Sequence, residues 1–271
     1  MTRVLSVTML GCGCSTGVPR IDGHWGACDP SNPKNRRSRC SAWFSLSSTG
    51  TPDLATSVVI DTSPEFREQA IRAGIKHLDA ILWTHDHADQ THGVDDMRAF
   101  TFGGSRPIDG YMDAATRETL LRRFDYVFAG KLGYPSICRD HLIPPHGTPW
   151  GIDGAGGLLP ILTFDQAHGP IRTVGYRMGD IAYSSDVSDL PEESVPALQG
   201  LKVWIVDALR RKPHPTHFHL EKTLEWVDRL RPERTILTNL HNELDYDALR
   251  SQLPPGVEPA FDQMRIDVPI T

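Results

Sequence analysis

The sequence predicts an α+β protein in which two β-sheets are enclosed by helices. Short apolar runs typical of strands recur in both halves of the chain, and segments with helical apolar spacing lie between them. Polar side chains able to bind a metal stand directly after several of these runs. The 271 residues, of which 39% are hydrophobic, suffice for a sizeable core, and we expect a single domain over residues 1–271.

The first half of the chain combines predicted strands with short helices. Residues 4–10 form a predicted strand that ends in a glycine-rich loop, which lacks the Lys-Ser/Thr pair of a phosphate-binding loop. Ser63 and Pro64 are typical of a helix start and Gly74 of a helix end. Further strands are predicted at 42–46, 57–61, 80–83 and 108–112, and helices at 64–73, 94–100 and 114–124.

The second half begins with a segment rich in proline and glycine. Its composition predicts an irregular insert at about 125–157, either a substrate loop or a mobile surface excursion. The strand pattern then returns, and Leu220, Leu224 and Val227 mark one apolar face of a helix. Strands are predicted at 158–164, 171–177, 181–184, 203–206, 235–237 and 260–268, and helices at 192–198, 220–230 and 246–252.

Charge and cysteine content narrow the function classes. The net charge of -6 gives no basic footprint and argues against a nucleic-acid partner, so we expect a small-molecule substrate. An odd number of cysteines, five, argues against a disulfide framework and fits a reducing cytosol. No apolar stretch is typical of a signal peptide or a membrane span. We therefore expect a cytoplasmic protein without a membrane partner. Formation of a homodimer is compatible with these observations.

The segment after the predicted strand 80–83 carries two histidines and an aspartate at alternate positions. In an extended segment, residues two apart project to the same side, so His85, His87 and Asp89 can converge on one point. Neutral imidazole suits zinc, iron and manganese, and an added carboxylate leaves room for a bound water. The alternative is a polar loop with incidental histidines, but the preceding strand and Gly93 favour a metal site.

Three more candidate residues also follow predicted strands. These are His168, Asp186 and His241. Taken singly, His168 beside Gly and Pro could be a turn residue, and Asp186 could cap a turn. Polar side chains at the ends of several strands commonly meet at one rim of a scaffold, so the joint pattern predicts an active site there.

Seven ordered motifs carry a resemblance to a known family. They are Ile60-Asp61-Thr62-Ser63, Thr84-His85-Asp86-His87-Ala88-Asp89, Gly93-Val94-Asp95-Asp96-Met97-Arg98, His168-Gly169, Gly175-Tyr176-Arg177, Tyr183-Ser184-Ser185-Asp186 and Leu237-Thr238-Asn239. Over nearly the whole chain the sequence resembles the metallo-β-lactamase-fold hydrolases. Within them it resembles the phosphodiesterase branch, which includes tRNase Z and a phosphoribosyl cyclic phosphodiesterase. The resemblance implies an αββα four-layer sandwich of two mixed sheets flanked by helices, with the metal site at one rim.

The resemblance also implies a set of ligands for the first metal. That ion would be held by His85, His87 and His168, with Asp186 bridging to a second ion. Asp89 would be a ligand of the second ion.

The second metal position departs from the family pattern. Gln90 and Asn239 stand where the family has histidines, and amides are weaker ligands than imidazoles. We therefore expect one tight zinc or manganese site and a second site that is weak or absent. Gln90, Asn239 and His241 stay candidate contacts to a second metal or to substrate, and His92 or His241 could substitute for the missing imidazoles.

The expected mechanism is hydrolysis by a metal-activated water, which Asp89 or Asp186 would orient and deprotonate. The resemblance implies that His217 donates a proton to the leaving oxygen, with His219 as the second choice and a helix cap as the alternative role. Asp61 is a candidate partner that fixes the tautomer of a ligand histidine. Arg98 is a candidate phosphate contact, as is the run 34–39, which could equally be a solvated loop.

The predicted function is that of a metal-dependent hydrolase, a phosphodiesterase acting on a small phosphate ester, cyclic or nucleotide-like. Two alternatives stay open: a thioester or lactone hydrolase of the same superfamily, and a non-catalytic ligand-binding relative. Relatives in this branch have a structural zinc site built from N-terminal cysteines. Cys12, Cys14, His24 and Cys28 could form one here, or the thiols could be buried or free, because their spacing fits no strong zinc template.

Overall fold

The computed structural model describes residues 3–103, 106–131 and 133–270. Over these residues the chain forms two mixed β-sheets of seven strands each, which pack face to face and carry helices on their outer faces. The predicted α+β class and the αββα sandwich are confirmed.

The first sheet combines an antiparallel and a parallel half. Its strand order is β14-β1-β2-β3-β4-β5-β6, with the pairs from β14 to β3 antiparallel and those from β3 to β6 parallel. The strands are β1 Arg3–Gly11, β2 Ser41–Ser48, β3 Thr51–Ile60, β4 Ala80–Leu82, β5 Ile108–Met112, β6 Cys138–Leu142 and β14 Arg265–Ile270.

The second sheet has the same division. Its strand order is β13-β12-β11-β10-β9-β8-β7, with β10 to β13 parallel and β7 to β10 antiparallel. The strands are β7 Trp150–Ile152, β8 Leu159–His168, β9 Ile171–Met178, β10 Ile181–Ser184, β11 Val203–Asp207, β12 Arg234–Thr238 and β13 Val257–Pro259. Because parallel strands share a direction, their carboxyl ends meet at one edge of each sheet.

The helices cover the outer faces of the sheets. They are α1 Phe66–Ala73, α2 Ala88–Thr91, α3 Ala114–Arg123, α4 Asp125–Ala129, α5 Leu220–Leu230 and α6 Tyr246–Arg250, with 3₁₀ helices at Pro33–Asn35, Val94–Thr101 and Glu192–Leu198. Gly74, at φ 70°, ends α1 as predicted, its N–H bonding to the carbonyls of Ala70 and Ile71. None of the described helices combines the length and apolar character that crossing a membrane requires.

Three apolar layers hold the sandwich together. One fills the space between the sheets and includes Leu5, Phe44 and Ile205. The second packs α5 on the second sheet, and the third packs α1 and α3 on the first. Burying each large aliphatic side chain contributes about 1.5–3 kcal/mol, so the layers fix the two sheets against each other and thereby fix the rim.

The segment at about 125–157 is not an irregular insert, and that prediction is wrong. It contains α4, β6 and β7, and the two strands form the outer edge of the first and the second sheet. The prolines lie between these elements rather than inside them. Edge strands are short and partly polar, so their sequence pattern was too weak to predict.

Two further boundaries differ from the prediction. The first helix begins at Phe66 rather than Pro64, and Ser63 donates to the Gln69 side chain instead of capping. The C-terminal strand begins only at Arg265, because the Asp262 carboxylate accepts hydrogen bonds from Ser38 and Cys12 and holds this segment as a turn.

Candidate metal centre

Four side chains from different elements converge at the rim of the sandwich. His85 follows β4, His87 precedes α2, His168 is the last residue of β8 and Asp186 follows β10. One ligand atom from each lies within 4.8 Å of the others. The three rings have centroid separations of 4.4, 5.1 and 5.2 Å. His85, His168 and Asp186 are buried, whereas His87 is exposed and opens the group to solvent.

His85 is held with its Nε2 atom towards this centre. The Thr84 hydroxyl lies 3.0 Å from His85 Nδ1 and 2.9 Å from the Asp61 carboxylate, which also accepts from the Thr84 N–H at 2.8 Å. Since the hydroxyl donates to Asp61, it accepts the proton on Nδ1, and the Nε2 lone pair stays free. Asp61 therefore contacts the histidine through Thr84 rather than directly.

His168 is oriented in the same way by a different group. Its Nδ1 lies 2.6 Å from the carbonyl oxygen of Thr216 and donates to it, which leaves Nε2 as the free atom, 3.8 Å from an Asp186 oxygen. Burial lowers the pKa of His168 to about 4 and that of His85 well below its usual value. Both rings are therefore neutral near pH 7, the form that binds metals.

The group fits a divalent metal ion. His85 Nε2 is buried without a hydrogen-bond partner among the described residues and lies 3.6 Å from Asp186 Oδ2. An unpartnered buried nitrogen is costly unless something binds it. Two or three imidazoles with one carboxylate form a typical ligand set for a catalytic metal, so this is a His/Asp metal site.

Amides occupy the side of the centre where the family pattern has a second metal position. Gln90 Nε2 lies 3.2 Å from Asp89 Oδ2 and 3.5 Å from Asp186 Oδ1, and Asn239 Nδ2 donates to Asp186 Oδ1 at 2.9 Å. The amides thus present N–H groups to the carboxylates, and Gln90 Oε1 is left without a hydrogen-bond partner in the described part of the chain. Asp89 lies outside the group of four that can share one ion.

The backbone adopts an unusual conformation at three of these strand ends. Asp61, Asp186 and Asn239 have φ values of 62°, 50° and 59°. The left-handed region is uncommon for residues other than glycine, and Asn and Asp tolerate it best. Such backbone strain clusters at functional sites, and here it turns the polar side chains towards the rim.

A histidine and an aspartate form a pair beside the metal site. His217 Nδ1 lies 2.7 Å from Asp207 Oδ2, and its ring centroid is 4.6 Å from that of His168. Burial opposes a charge on the ring, but the Asp207 carboxylate outweighs it and raises the pKa of His217 to about 9. His217 is therefore protonated at neutral pH.

The other candidates lie elsewhere or have other partners. Arg98 pairs with Asp95 and lines a cavity of about 680 Å³ whose walls include none of the four ligands. His241 lies 3.7 Å from Glu243. His92 is exposed and packs on Phe124, and His219 is the N-cap of α5. Within the run 34–39, Arg37 is buried and bonds to the carbonyls of His241 and Leu244, while Arg39 pairs with Glu65.

The N-terminal cysteines have separate hydrogen-bond partners. Cys12 Sγ lies against Asp262, Cys14 Sγ against Thr16 and Cys28 Sγ against the carbonyl of Asn242, while His24 is exposed. Burial raises the pKa of all three thiols. Among the described residues these side chains form no metal-binding group.

Sequence reasoning missed Asp207, Thr84 and Thr216, which position the site residues. Asp207 carried a usable signal, because it ends the buried strand β11 just as the other site residues end or follow theirs. Thr216 acts through its backbone carbonyl, so its side-chain type carried no signal.

Comparison with known proteins identifies the class. Residues 56–239 match the model of the beta-lactamase superfamily domain. This is more than half of the chain, and the chain belongs to that superfamily. With its fold and its His/Asp site it is a metal-dependent hydrolase of the metallo-β-lactamase fold, as predicted.

Particular relatives differ in how far the likeness extends. The chain is 33% identical to a diphosphatase from the PhnP family, with a TM-score of 0.85 and coverage of 100% of this chain and 99% of that one. The short form of human tRNase Z shares the fold at 17% identity and a TM-score of 0.66, over 98% and 100% of the two chains. An octanoyltransferase of Porphyromonas gingivalis is 30% identical over 267 residues, 94% of this chain, but the chain spans only 50% of that relative.

Proposed function

We propose that the chain hydrolyses a phosphodiester or diphosphate bond in a small, nucleotide-like or cyclic phosphate ester. The observation that carries this proposal is the pair of His217 and Asp207, 2.7 Å apart, with the His217 ring 4.6 Å from that of the metal ligand His168. The likeness to a diphosphatase over the full chain supports it.

The metal would be zinc or manganese, held by His85, His87, His168 and Asp186. When bound in such a site, a divalent ion acidifies a water molecule and polarises a phosphoryl oxygen. We propose a single tight ion, because Gln90 and Asn239 direct N–H groups at the carboxylates that a second ion would need. An amide nitrogen that carries its two protons has no lone pair available for a metal ion.

Two side chains near the ion each carry out one of the two proton transfers. Asp89, partly buried and held by Gln90, orients the attacking water and accepts its proton. Burial raises the pKa of Asp89, which makes it a stronger base than an exposed carboxylate. His217 donates its proton to the leaving oxygen, and Asp207 stabilises the imidazolium before the transfer.

The protonated His217 favours an oxygen leaving group over a thiolate. An alkoxide or a sugar oxygen leaves poorly unless it is protonated, whereas a thiolate leaves without help because thiols are far more acidic. A thioester substrate would therefore make little use of the pair. A lactone would use it, and lactone hydrolysis is the alternative that the assay must separate.

Replacing His217 by alanine tests the role of the proton donor. With native protein supplied with manganese or zinc, we compare bis(p-nitrophenyl) phosphate with a phosphodiester that has an alkyl leaving group. H217A should lose about 10²–10⁴-fold in kcat on the alkyl ester, and much less on the p-nitrophenyl ester, which needs little protonation. The metal content per chain of H217A should equal that of the native protein.

His219→Ala is the matched control, because His219 is the N-cap residue of α5, its side chain makes no capping hydrogen bond, and it lies outside the group of four ligands. Its turnover of both esters should stay near native. Equal losses of H217A on both esters would reject a proton donor at this position, and turnover of lactones alone would reject phosphoester hydrolysis.

A further inference from the structure

Arg37 is buried although it carries a full charge. Its side chain is 1% exposed, and no carboxylate of the described residues forms an ion pair with it. Its Nε atom is buried without a hydrogen-bond partner in the described part of the chain. Removing a guanidinium from water costs several kcal/mol unless other contacts replace the water. At this residue, therefore, the run 34–39 is not a solvated loop.

The Arg37 guanidinium bonds to the turn that follows β12. Its Nη1 atom donates to the carbonyl of His241 at 3.3 Å, and its Nη2 atom donates to that of Leu244 at 2.7 Å. The Asn35 side-chain oxygen accepts from Nη2 at 3.3 Å and from the Tyr246 N–H at 2.8 Å. Hydrogen bonds from a charged donor are stronger than those between neutral groups, so Arg37 holds this turn against the N-terminal loop.

Two glycines let the N-terminal loop approach the turn closely. A Cβ atom added at Gly26 would lie 2.3 Å from the carbonyl oxygen of Asn242, and one added at Gly13 would lie 2.9 Å from Arg37 Cβ. Gly13 also pairs with Leu240 of the turn through a backbone bridge. Because interiors packed this closely transmit strain, a change at Arg37 is felt in the turn.

The same turn carries Asn239 into the metal centre. Asn239 has a φ of 59°, and its Nδ2 atom lies 2.9 Å from Asp186 Oδ1 and 3.2 Å from His217 Nδ1. A left-handed backbone is strained at a residue other than glycine and persists only where its surroundings fix it. The carbonyl that Arg37 Nη1 holds belongs to His241, two residues further along the chain. Rotation of this backbone would move the amide away from both of its partners.

We propose that Arg37 is a positioning residue, which fixes the Asn239 amide against Asp186 and His217 by holding the carbonyls of the turn. This inference rests on the proposed phosphoester hydrolysis, in which His217 donates the proton. A guanidinium presents its N–H groups in a rigid fork, so one side chain can hold two carbonyls at once. A carboxylate partner would compete with these carbonyls for the N–H groups, and Arg37 has none among the described residues.

A double-mutant cycle tests whether Arg37 acts through Asn239. Arg37→Gln is made in the native chain and in the Asn239→Ala chain, and hydrolysis of an alkyl phosphodiester is measured with manganese or zinc. In the native chain R37Q should lower kcat about fivefold with little change in KM, because the orientation of one hydrogen bond is lost. In the N239A chain the same change should have almost no further effect, since two residues that act through one contact are not additive.

Two further variants separate positioning from general stability. Arg37→Lys keeps the charge but not the fork, so its kcat should lie between those of the native chain and R37Q. If R37Q does not fold, R37K takes its place in the cycle. Arg20→Gln is the matched control, because Arg20 pairs with Asp22 inside the same loop, and its kcat should stay native. Thermal unfolding is measured for every variant, and turnover is compared well below each midpoint.

The outcomes distinguish the positioning role from the proposed function. An equal loss of kcat from R37Q in the native and N239A chains would show that Arg37 only stabilises the fold, and hydrolysis would stand. Native kcat in R37Q or in N239A would overturn the role as well. If the native protein hydrolyses no phosphodiester with manganese or zinc, the proposed function fails and the positioning role fails with it.

Discussion

The two sides of the metal centre share Asp186 but are built from opposite chemistry. One side has three imidazoles, two of them fixed by Thr84 and Thr216 so that Nε2 lone pairs face inward. The other side has the amides of Gln90 and Asn239, whose N–H groups face the carboxylates. Lone pairs attract a cation and N–H groups do not, so we propose that the ion binds on the first side and that the amides fix the carboxylates.

The amide side also holds His217, the proposed proton donor. Asn239 Nδ2 lies 3.2 Å from His217 Nδ1, next to its bond to Asp186. A single amide therefore contacts both the Asp186 carboxylate and His217.

Removing one side chain from each side should have unequal effects. His168→Ala should lose the metal and lower turnover about a thousandfold, since a catalytic ion supplies several kcal/mol of charge stabilisation. Asn239→Ala removes one hydrogen bond to Asp186 and should cost only about tenfold. Metal content per chain and kcat are measured on the same samples. Metal loss in N239A as large as in H168A would show that the amide side is a ligand side too.

The pH dependence tests the donor on the amide side. His217 must be protonated to act, and its pKa is raised to about 9, so turnover of an alkyl ester should be constant at neutral pH and fall as the pH rises through about 9. Asp207→Asn removes the charge that raises this pKa and leaves burial, which lowers it. The alkaline limb of the pH profile should therefore move to lower pH. The loss of turnover at pH 7 should be smaller than the loss that H168A causes. An unmoved limb would assign it to another group.

The sequence predicted the metal side better than the amide side. Histidines after apolar strands are a direct signal, because residue type and strand position together determine where the imidazole goes. The central strands of the sandwich were equally predictable from the sequence, since strands such as β1 and β11 are short apolar runs. The edge strands β6 and β7 were missed because partly exposed strands lose that pattern.

The arrangement of the amide side could not be read from the sequence. The departures at Gln90 and Asn239 were visible, but which atoms they direct at Asp186 depends on backbone turns with positive φ. Asp207 was overlooked although it ends a strand, and its partner His217 comes ten residues later in an irregular loop. Contacts between strand ends and loops depend on tertiary structure rather than on local spacing.

The metal content of the chain tests the central claim most directly. Protein purified without added metal is analysed by elemental mass spectrometry, alongside the double variant Q90H/N239H, whose histidines would replace both amides and tolerate the backbone at position 239. We expect one tightly held ion per native chain and a second ion in the double variant. Two tightly held ions in the native chain would contradict the account.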